Sequence, residues 1–355
     1  MTQTTVPDPT ETAAFADQVF ASLANCYGGV MTSIGHRLGL YAALAGAGPL
    51  TSVELAERSG CAERYVREWL NSQVAAGYLE YDPEATSYEL PAERAAVLAD
   101  RESPNFMTPA FDVVASLWLD EEKTIEAFRS GGGVAWGEHD ERLFCGVAAF
   151  FRNGYRANLV PEWLPALEGV LAKLEAGARV ADIGCGHGHS TVLMAEAFPH
   201  SSFFGFDVHA GSIEEARRNA ADVGVEDRAT FLAETGAEFE QKDFDLVCFF
   251  DCLHDMGDPV GAARHAREAL AEGGSVMLVE PRAGDSVEEN TGPIGHLYYA
   301  ASTSLCCAHA ISEGGTALGA QAGEARLREV FAEAGFSHWR RAAETPFNLV
   351  LEARV

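Results

Sequence analysis

The stretch Arg179-Val-Ala-Asp-Ile-Gly-Cys-Gly-His-Gly-His189, followed by Phe203-Phe-Gly-Phe-Asp207, decides the fold of this chain. Val180, Ala181 and Ile183 form a short apolar run typical of a buried parallel strand, and the glycines at 184, 186 and 188 then break it into a tight loop. Residues 190–198 have the pattern of a helix ended by Pro199, and 203–206 predict a second strand closed by Asp207. A strand, glycine-rich loop, helix, strand and acid together place a ribose diol against a carboxylate at the carboxyl edge of a sheet.

The loop sequence distinguishes between nucleoside cofactors. A dinucleotide site needs G-x-G-x-x-G, but the position of the third glycine, counted from Gly184, is His189. Asp182 lies two residues before the first glycine, where its carboxylate repels a pyrophosphate and attracts the amino group and sulfonium of S-adenosylmethionine. The sequence therefore predicts S-adenosylmethionine as the cofactor and S-adenosylhomocysteine as its product. A chance glycine-rich turn is the alternative, which the surrounding strand and helix disfavour.

The D-x-G-x-G-x-G pattern of residues 182–188 resembles motif I of the class I S-adenosylmethionine-dependent methyltransferases. The resemblance implies that Asp207 holds the ribose hydroxyls. It also implies that a residue after the third strand, either Glu234 or Thr235, holds the adenine amino group. The residues expected to bind the cofactor are Asp182, Gly184, Cys185, Gly186, Asp207, Val208, Glu234, Thr235 and Phe250.

A polar segment follows the fourth predicted strand, Phe249-Phe-Asp-Cys-Leu-His-Asp-Met-Gly-Asp258. It resembles the Leu-His-Asp-Trp-x-Asp segment of small-molecule O-methyltransferases, in which the histidine is the general base, although Met256 replaces the tryptophan. We expect His254 and Asp255 to be catalytic, because a neutral imidazole with an ordinary pKa near ~6.5 can accept the proton of a hydroxyl. The alternative is a structural histidine that ties the loop to the sheet.

The first hundred residues have the pattern of a winged helix. Apolar periodicity predicts one helix from near Glu11 and a second from about Tyr27 to Leu44, followed by two shorter helices and a hairpin at 78–90. This region contains five basic and thirteen acidic side chains, which makes a poor surface for nucleic acid phosphates. We therefore expect it to serve dimerisation or to cap the substrate rather than to read DNA.

Composition limits the remaining classes of function. Acidic residues outnumber basic ones 53 to 25, and a formal charge of -28 disfavours nucleic acid and anionic lipid as partners. No apolar run reaches the ~18 residues of a membrane helix, and the amino terminus lacks the pattern of a signal peptide, so a cytoplasmic location is expected. The eight cysteines are then expected to be reduced. Three histidines near the loop, at 187, 189 and 209, are not expected to bind a metal.

The chain is predicted to contain three parts: a winged-helix or dimerisation domain at 1–100, a helical connector at 101–175, and the cofactor-binding domain at 176–355. The predicted fold class is α/β, with a Rossmann-like, doubly wound, seven-stranded sheet in the last part. Aromatic residues are dense in the connector, and a long excursion runs from Arg282 to Gly323. The residues expected to contact the acceptor are Tyr155, Arg156, Tyr298 and Tyr299.

Nearly the whole chain resembles two-domain bacterial class I methyltransferases with an amino-terminal winged helix. The segments that show this are Gly35-His-Arg-Leu-Gly-Leu-Tyr41, Glu63-Arg-Tyr-Val-Arg-Glu-Trp69 and Pro346-Phe-Asn-Leu-Val350. The resemblance implies an antiparallel final strand and a homodimer formed through the amino-terminal helices. The predicted function is methyl transfer from S-adenosylmethionine to a small molecule. Oxygen is the first expectation for the accepting atom, and nitrogen is the second. The alternatives are a sulfur acceptor with thiol chemistry at Cys306 or Cys307, and a winged-helix transcriptional regulator that senses the cofactor.

Overall fold

The computed structural model describes residues 6–355, which form two compact units. The first unit extends to Ala115, and the second is Ser116–Val355. The boundary lies within the predicted connector, because Thr108 and Phe106 belong to the first unit, where they contact His36. The predicted division into three parts therefore differs from this division into two.

The first unit is a helical domain with a small hairpin. Its helices are α1 (Pro9–Arg37), α2 (Leu40–Leu44), α3 (Ser52–Ser59), α4 (Glu63–Ala75) and α5 (Ala92–Leu98), and its strands are β1 (Glu80–Asp82) and β2 (Ser87–Glu89). The helix α6 (Ala110–Leu119) crosses the unit boundary. Helix α3 begins with the capping box formed by Thr51 and Glu54, and β1 pairs antiparallel with β2. This arrangement of two helices and a hairpin confirms the winged helix.

Helix α1 differs from its prediction. The sequence predicts two helices with a break before Tyr27, but α1 is continuous through Gly28 and Gly29. The break lies at Gly39, whose φ is 69°, a left-handed conformation that suits glycine. Two adjacent glycines weaken a helix without ending it, and no proline follows them to stop it. The single helix therefore reaches 29 residues.

The second unit begins with helices that precede its sheet. They are α7 (Glu121–Ser130), α8 (Glu141–Asn158), α9 (Leu164–Ala166) and α10 (Val170–Ala176), with a 3₁₀ turn at Trp136–Glu138 and a π-helical turn at Leu159–Trp163. The helices that follow the first sheet strand are α11 (His189–Ala197), α12 (Ala210–Val223), α13 (Pro259–Ala269), α14 (Pro293–Ser304), α15 (Cys306–Ser312) and α16 (Gly323–Glu333). A second 3₁₀ turn occupies Leu253–Asp255.

Seven strands form the central sheet. They are β3 (Arg179–Ile183), β4 (Ser202–Phe206), β5 (Ala229–Leu232), β6 (Phe244–Phe250), β7 (Leu270–Pro281), β8 (His338–Glu344) and β9 (Asn348–Arg354). Their order is β5-β4-β3-β6-β7-β9-β8, and only β9 runs antiparallel to its neighbours. The doubly wound sheet and its antiparallel final strand are therefore confirmed.

The sheet separates two hydrophobic cores. Val180 packs into the core with α8, α11 and α12, whereas Ala181 and Ile183 pack into the core with α13 and α16. This alternation along β3 is the period of two expected of a strand covered on both faces. The strand order reverses between β3 and β6, which leaves a crevice beyond their carboxyl ends, where ligands of such sheets bind.

Candidate functional site

The glycine loop after β3 turns sharply because three of its residues adopt positive φ. Gly184, Gly186 and Gly188 have φ values of 70°, 52° and 73°. A side chain at Gly184 would come within 2.8 Å of Cys252, and one at Gly188 within 2.8 Å of Ala216, so both positions also require the small residue. Nothing lies within 4 Å of the missing Cβ at Gly186, which borders the open cavity. The loop thus packs closely on the protein side and leaves its other side open to a ligand.

Asp182 holds this loop from below. Its Oδ2 accepts hydrogen bonds from Ser190 Oγ and Thr191 Oγ1, both at 2.6 Å, which join the end of β3 to the first turn of α11. Burial raises the pKa of Asp182 to about 6. Asp182 is buried and is not among the residues that line the cavity, so the structure places it beneath the loop rather than on the cavity wall.

Asp207 follows β4 and faces the cavity. Its Oδ2 accepts a hydrogen bond from the Gly186 amide at 2.9 Å, and its Oδ1 accepts one from the His209 amide at 2.8 Å. These two amides fix the carboxylate, and burial raises its pKa. Carboxylate oxygens have further lone pairs, and those of Asp207 are positioned to accept hydrogen bonds from a diol.

The cavity beside this loop has a volume of about 420 Å³. The remaining residues of the glycine loop form one side, and Val208, Glu234 and Thr235 lie beyond Asp207. Glu234 Oε2 is buried and has no hydrogen-bond partner among the described residues. A buried carboxylate oxygen of this kind requires a donor, which an exocyclic amine supplies. The diol acceptor, the unpaired Glu234 oxygen and the open glycine loop all fit S-adenosylmethionine.

An aromatic wall from the helical segment before the sheet faces the loop across the cavity. Trp136, Phe144, Phe151 and Tyr155 line this wall, and the Tyr155 ring packs against Phe250 with the ring centroids 5.5 Å apart. His309 of α15 and Glu313, which follows that helix, close another side, where the Trp136 amide donates to His309 Nδ1 at 3.2 Å. These rings make the cavity largely apolar outside its acidic groups.

His254 lies in the 3₁₀ turn after β6 and is buried. Its Nδ1 is hydrogen-bonded to Glu280 Oε2 at the end of β7, and Glu280 Oε1 accepts the Leu253 amide at 3.0 Å. The Cys306 thiol is hydrogen-bonded to the same imidazole. Burial alone lowers the pKa of His254, but the charges of Glu280 and Cys306 and their hydrogen bonds raise it well above its ordinary value. His254 is thus fixed by a buried carboxylate, and it is not among the residues that line the cavity.

Two further acids follow β6 on the cavity wall. Burial raises the pKa of Asp255 to about 7. Asp251 accepts hydrogen bonds from Asn348 Nδ2, at 2.8 Å to Oδ1 and 3.2 Å to Oδ2. The structure therefore brings the segment after β6 to the cavity, as the position of this segment at the sheet edge predicts.

Only one of the residues predicted to contact the acceptor lines the cavity. Tyr155 lines the cavity, whereas Arg156 and Tyr299 are exposed and lie outside the cavity lining. Tyr298 is half-buried, and its hydroxyl donates to the Phe347 carbonyl at 3.3 Å. Sequence reasoning missed Glu280 and Asn348, although each stands at the carboxyl edge of the sheet next to a proline or a turn. Among the described residues, no cluster of His, Cys, Asp and Glu has the geometry of a metal site.

Comparisons with known families match both units. A family model described as an Rv2258c-like winged HTH domain matches residues 26–100, and one described as a methyltransferase domain matches residues 174–335. Residues 26–100 therefore match a winged HTH domain and residues 174–335 a methyltransferase domain, in agreement with the fold of each part. The methyltransferase domain and the cavity beside its glycine loop agree on S-adenosylmethionine as the cofactor.

Individual relatives resemble parts of the chain. The 27-O-demethylrifamycin SV methyltransferase of Amycolatopsis mediterranei is 34% identical over 107 residues, which are 30% of this chain and 39% of that protein. The aklanonic acid methyltransferase of a Streptomyces species is 35% identical over 108 residues, or 30% of this chain and 49% of that protein. The chain thus spans less than half the length of these two relatives.

Solved structures resemble nearly the whole chain in fold. An O-methyltransferase described as putative, from Nostoc punctiforme, has a TM-score of 0.71 at 22% identity and covers 98% of this chain and 99% of its own. Human N-acetylserotonin methyltransferase, in complex with S-adenosylmethionine, has a TM-score of 0.70 at 16% identity and covers 99% of both chains. At this identity the likeness establishes the shared fold alone. Among residues 6–355, no helix is long and apolar enough to span a membrane.

Proposed function

We propose that this protein transfers the methyl group of S-adenosylmethionine to a hydroxyl oxygen of a small molecule, with His254 as the general base. The observation that carries the proposal is the buried pair of His254 and Glu280 at the carboxyl ends of β6 and β7. A carboxylate hydrogen-bonded to one imidazole nitrogen orients the ring and increases the basicity of the other nitrogen. The mitomycin 7-O-methyltransferase, which shares the fold at a TM-score of 0.71 and 18% identity, adds support for an oxygen acceptor.

Different residues of this chain bind the cofactor and transfer the proton. The bound cofactor supplies a methyl group that is already activated by its sulfonium. Asp207 and Glu234 are positioned to hold the ribose hydroxyls and the adenine amine, and the glycine loop leaves room between them. Alignment of the acceptor oxygen with the methyl group then supplies much of the rate. His254 would take the hydroxyl proton on Nε2, the ring nitrogen that Glu280 does not hold, as the methyl carbon exchanges its bond to the sulfonium sulfur for a bond to the acceptor oxygen.

Substitution of His254 tests this proposal. In full-length protein, His254→Ala removes the base but leaves the cofactor pocket, so methyl transfer to a phenol panel should fall by ~100-fold or more. S-adenosylhomocysteine affinity, measured by calorimetry, should stay within about twofold. His200→Ala, which removes an exposed histidine from the same unit, is the matched control. An equal loss of cofactor binding would make His254 structural, and unchanged turnover of the phenols would show that His254 is not the base.

We also propose that the winged helix serves a homodimer rather than DNA. On α4, Arg64 pairs with Glu68 at 2.5 Å and Arg67 pairs with Glu63 at 2.6 Å, so the helix that would enter a DNA groove has its cations neutralised. Helix α1 instead exposes large apolar side chains along one face. They are Phe15, Val19, Leu23, Tyr27, Val30 and Ile34. An apolar stripe at helical spacing fits association with a second copy.

A further inference from the structure

The charged side chains that line the cavity are acidic. Of the described residues that line it, seven are Asp or Glu and none is Lys or Arg. The ribose hydroxyls and the adenine amine of the cofactor account for Asp207 and Glu234. Asp251 follows β6 and is next to Phe250, whose ring packs against Tyr155 of the aromatic wall. Asp251 lines the cavity, and its charge acts on the Tyr155 hydroxyl, which places the two groups near each other.

Two strands hold Asp251 in place. Its φ of 50° is in the left-handed region, which non-glycine residues adopt only when the surroundings enforce it. The Asp251 amide donates to the Val279 carbonyl of β7 at 2.8 Å, and Asn348 of β9 donates to both carboxylate oxygens. The backbone and the carboxylate are therefore fixed from the protein side.

Tyr155 provides an independent sign of a ligand at this place. Its side chain is only 9% exposed and lines the cavity, yet its hydroxyl has no hydrogen bond with any residue that the structure describes. Its ring stacks on Phe151 with the centroids 5.9 Å apart and packs against Phe250. A buried phenol that borders a cavity needs a partner, and a ligand in the cavity can supply it.

The charges around Asp251 select the sign of that ligand. Burial and the negative charge of Glu280 raise the pKa of Asp251 well above its ordinary value, and they outweigh the charge of His254 and the hydrogen bond from Asn348, which lower it. Asp255 raises it further. An anionic acceptor would add to this repulsion. A cation would relieve it and favour the ionised carboxylate, and the rings of the wall also attract cations.

We propose that the acceptor carries a protonated amine, and that Asp251 and the Tyr155 hydroxyl bind this ammonium group. The inference rests on the proposed methyl transfer to a small molecule and names the class of that acceptor as a hydroxylated amine. Asp251 acts as a specificity-determining residue, and Asn348 positions its carboxylate. The carboxylate of Asp251 also excludes acceptors of the same size that carry a carboxylate in place of the amine.

Three phenols of matched shape test the proposal. Tyramine carries an ammonium group, 4-ethylphenol is neutral, and 3-(4-hydroxyphenyl)propionate carries a carboxylate. Their affinities for the full-length protein, saturated with S-adenosylhomocysteine, are measured by calorimetry or by ligand-observed NMR. Tyramine should bind at least about tenfold more tightly than 4-ethylphenol, because a hydrogen bond to a charged group has that value, and the propionate should bind most weakly.

Two substitutions assign this preference to the named groups. Asp251→Asn should reduce the ratio of tyramine to 4-ethylphenol affinity to near one, and Tyr155→Phe, which keeps the ring, should reduce it in part. Asp222→Asn and Tyr65→Phe make the same changes at exposed positions and should leave the ratio unchanged. Unchanged S-adenosylhomocysteine affinity shows that each variant remains folded.

Equal binding of the three phenols, a preference that survives in Asp251→Asn, or no tyramine binding at millimolar concentration would overturn the proposal. The position of the transferred methyl group separates this inference from the proposed function. Methylation of tyramine at nitrogen would support the ammonium site and contradict an oxygen acceptor. Methylation of 4-ethylphenol at oxygen without any preference for tyramine would do the reverse.

Discussion

The imidazole of His254 illustrates how much one distant residue changes the chemistry of another. Glu280 is 26 positions away in the sequence, yet its carboxylate contacts His254 Nδ1 and raises the pKa of the imidazole well above its ordinary value. A base with a raised pKa accepts a proton more readily, but it is deprotonated, and so able to act, only at higher pH. The His254–Glu280 pair therefore predicts how turnover depends on pH.

The proton-free fraction of His254 should control the pH profile of turnover. Because Glu280 stabilises the protonated imidazole, kcat should rise with pH through a midpoint above the ordinary value of about 6.5. Glu280→Gln keeps the shape of the side chain but removes its charge, so the midpoint should move down toward about 6.5. Rates measured from pH 5 to 10 in both proteins check this.

Glu268→Gln, at a site without contact to the imidazole in the described structure, is the control for that comparison. It should leave the midpoint where it is in the unsubstituted protein. A midpoint that is identical in Glu280→Gln and in the unsubstituted protein would mean that another group limits the rate. Asp255, whose pKa burial raises to about 7, is then the next candidate.

Sequence reasoning could predict the residues of the site that are close along the chain. The glycine loop, Asp207 and the His254 segment belong to short patterns with a strand on one side, and each was placed at the correct sheet edge. Asn348 and Glu280 were missed because their partners are 97 and 26 positions away, and no local pattern reports such pairs. Asp182 was expected on the cavity wall, but its neighbours Ser190 and Thr191 bind it beneath the loop.

At the scale of elements, the glycine loop depends on two separate requirements. Gly184 has a positive φ, and Cys252 leaves no space for a side chain at this position. The two requirements can be separated because Gly224, at the end of α12, has nearly the same φ but nothing within 4 Å of its missing Cβ.

Alanine substitutions at these two glycines should differ in their cost. Gly224→Ala should lower the free energy of unfolding by about 1 kcal/mol, since only the left-handed conformation is penalised. Gly184→Ala adds a contact at 2.8 Å with Cys252 and should cost about 1–3 kcal/mol more. Urea unfolding of both variants measures the difference. Equal costs would contradict this prediction, because they would show that the loop moves away from Cys252 without loss of stability.

The elements themselves were predictable where each had its own start and stop signal. The strands and the helix around the glycine loop and the hairpin predicted at 78–90 appear as expected. Helix α1 was predicted as two helices with the second starting at about Tyr27, whereas the chain continues as one helix and turns only at Gly39. The positive φ of Gly39, which ends the helix, is not visible in the sequence.

At the scale of the whole molecule, the acidic balance acts on both units. The formal charge of -28 disfavours polyanions as partners, and the winged helix neutralises its own arginines with glutamates. The same balance reaches the cavity, where no Lys or Arg lines the described walls. A cytoplasmic location and the division into three parts remain predictions. What the molecule exposes instead of a basic face is the apolar stripe of α1, and this stripe leads to a prediction about assembly.

The apolar stripe of α1 should hold two copies of the chain together. Phe15 and Tyr27 are 65% and 72% exposed, and single side chains at this level are unusual when six of them follow one helix face. Leu23→Glu places a charge in the middle of the stripe and should convert a dimer to a monomer in light scattering after gel filtration, with cofactor affinity retained. Ala21→Glu places the same charge on the opposite face of α1 and should remain dimeric. A dimer that persists in Leu23→Glu would assign the interface to another surface, and a monomeric unsubstituted protein would contradict the homodimer altogether.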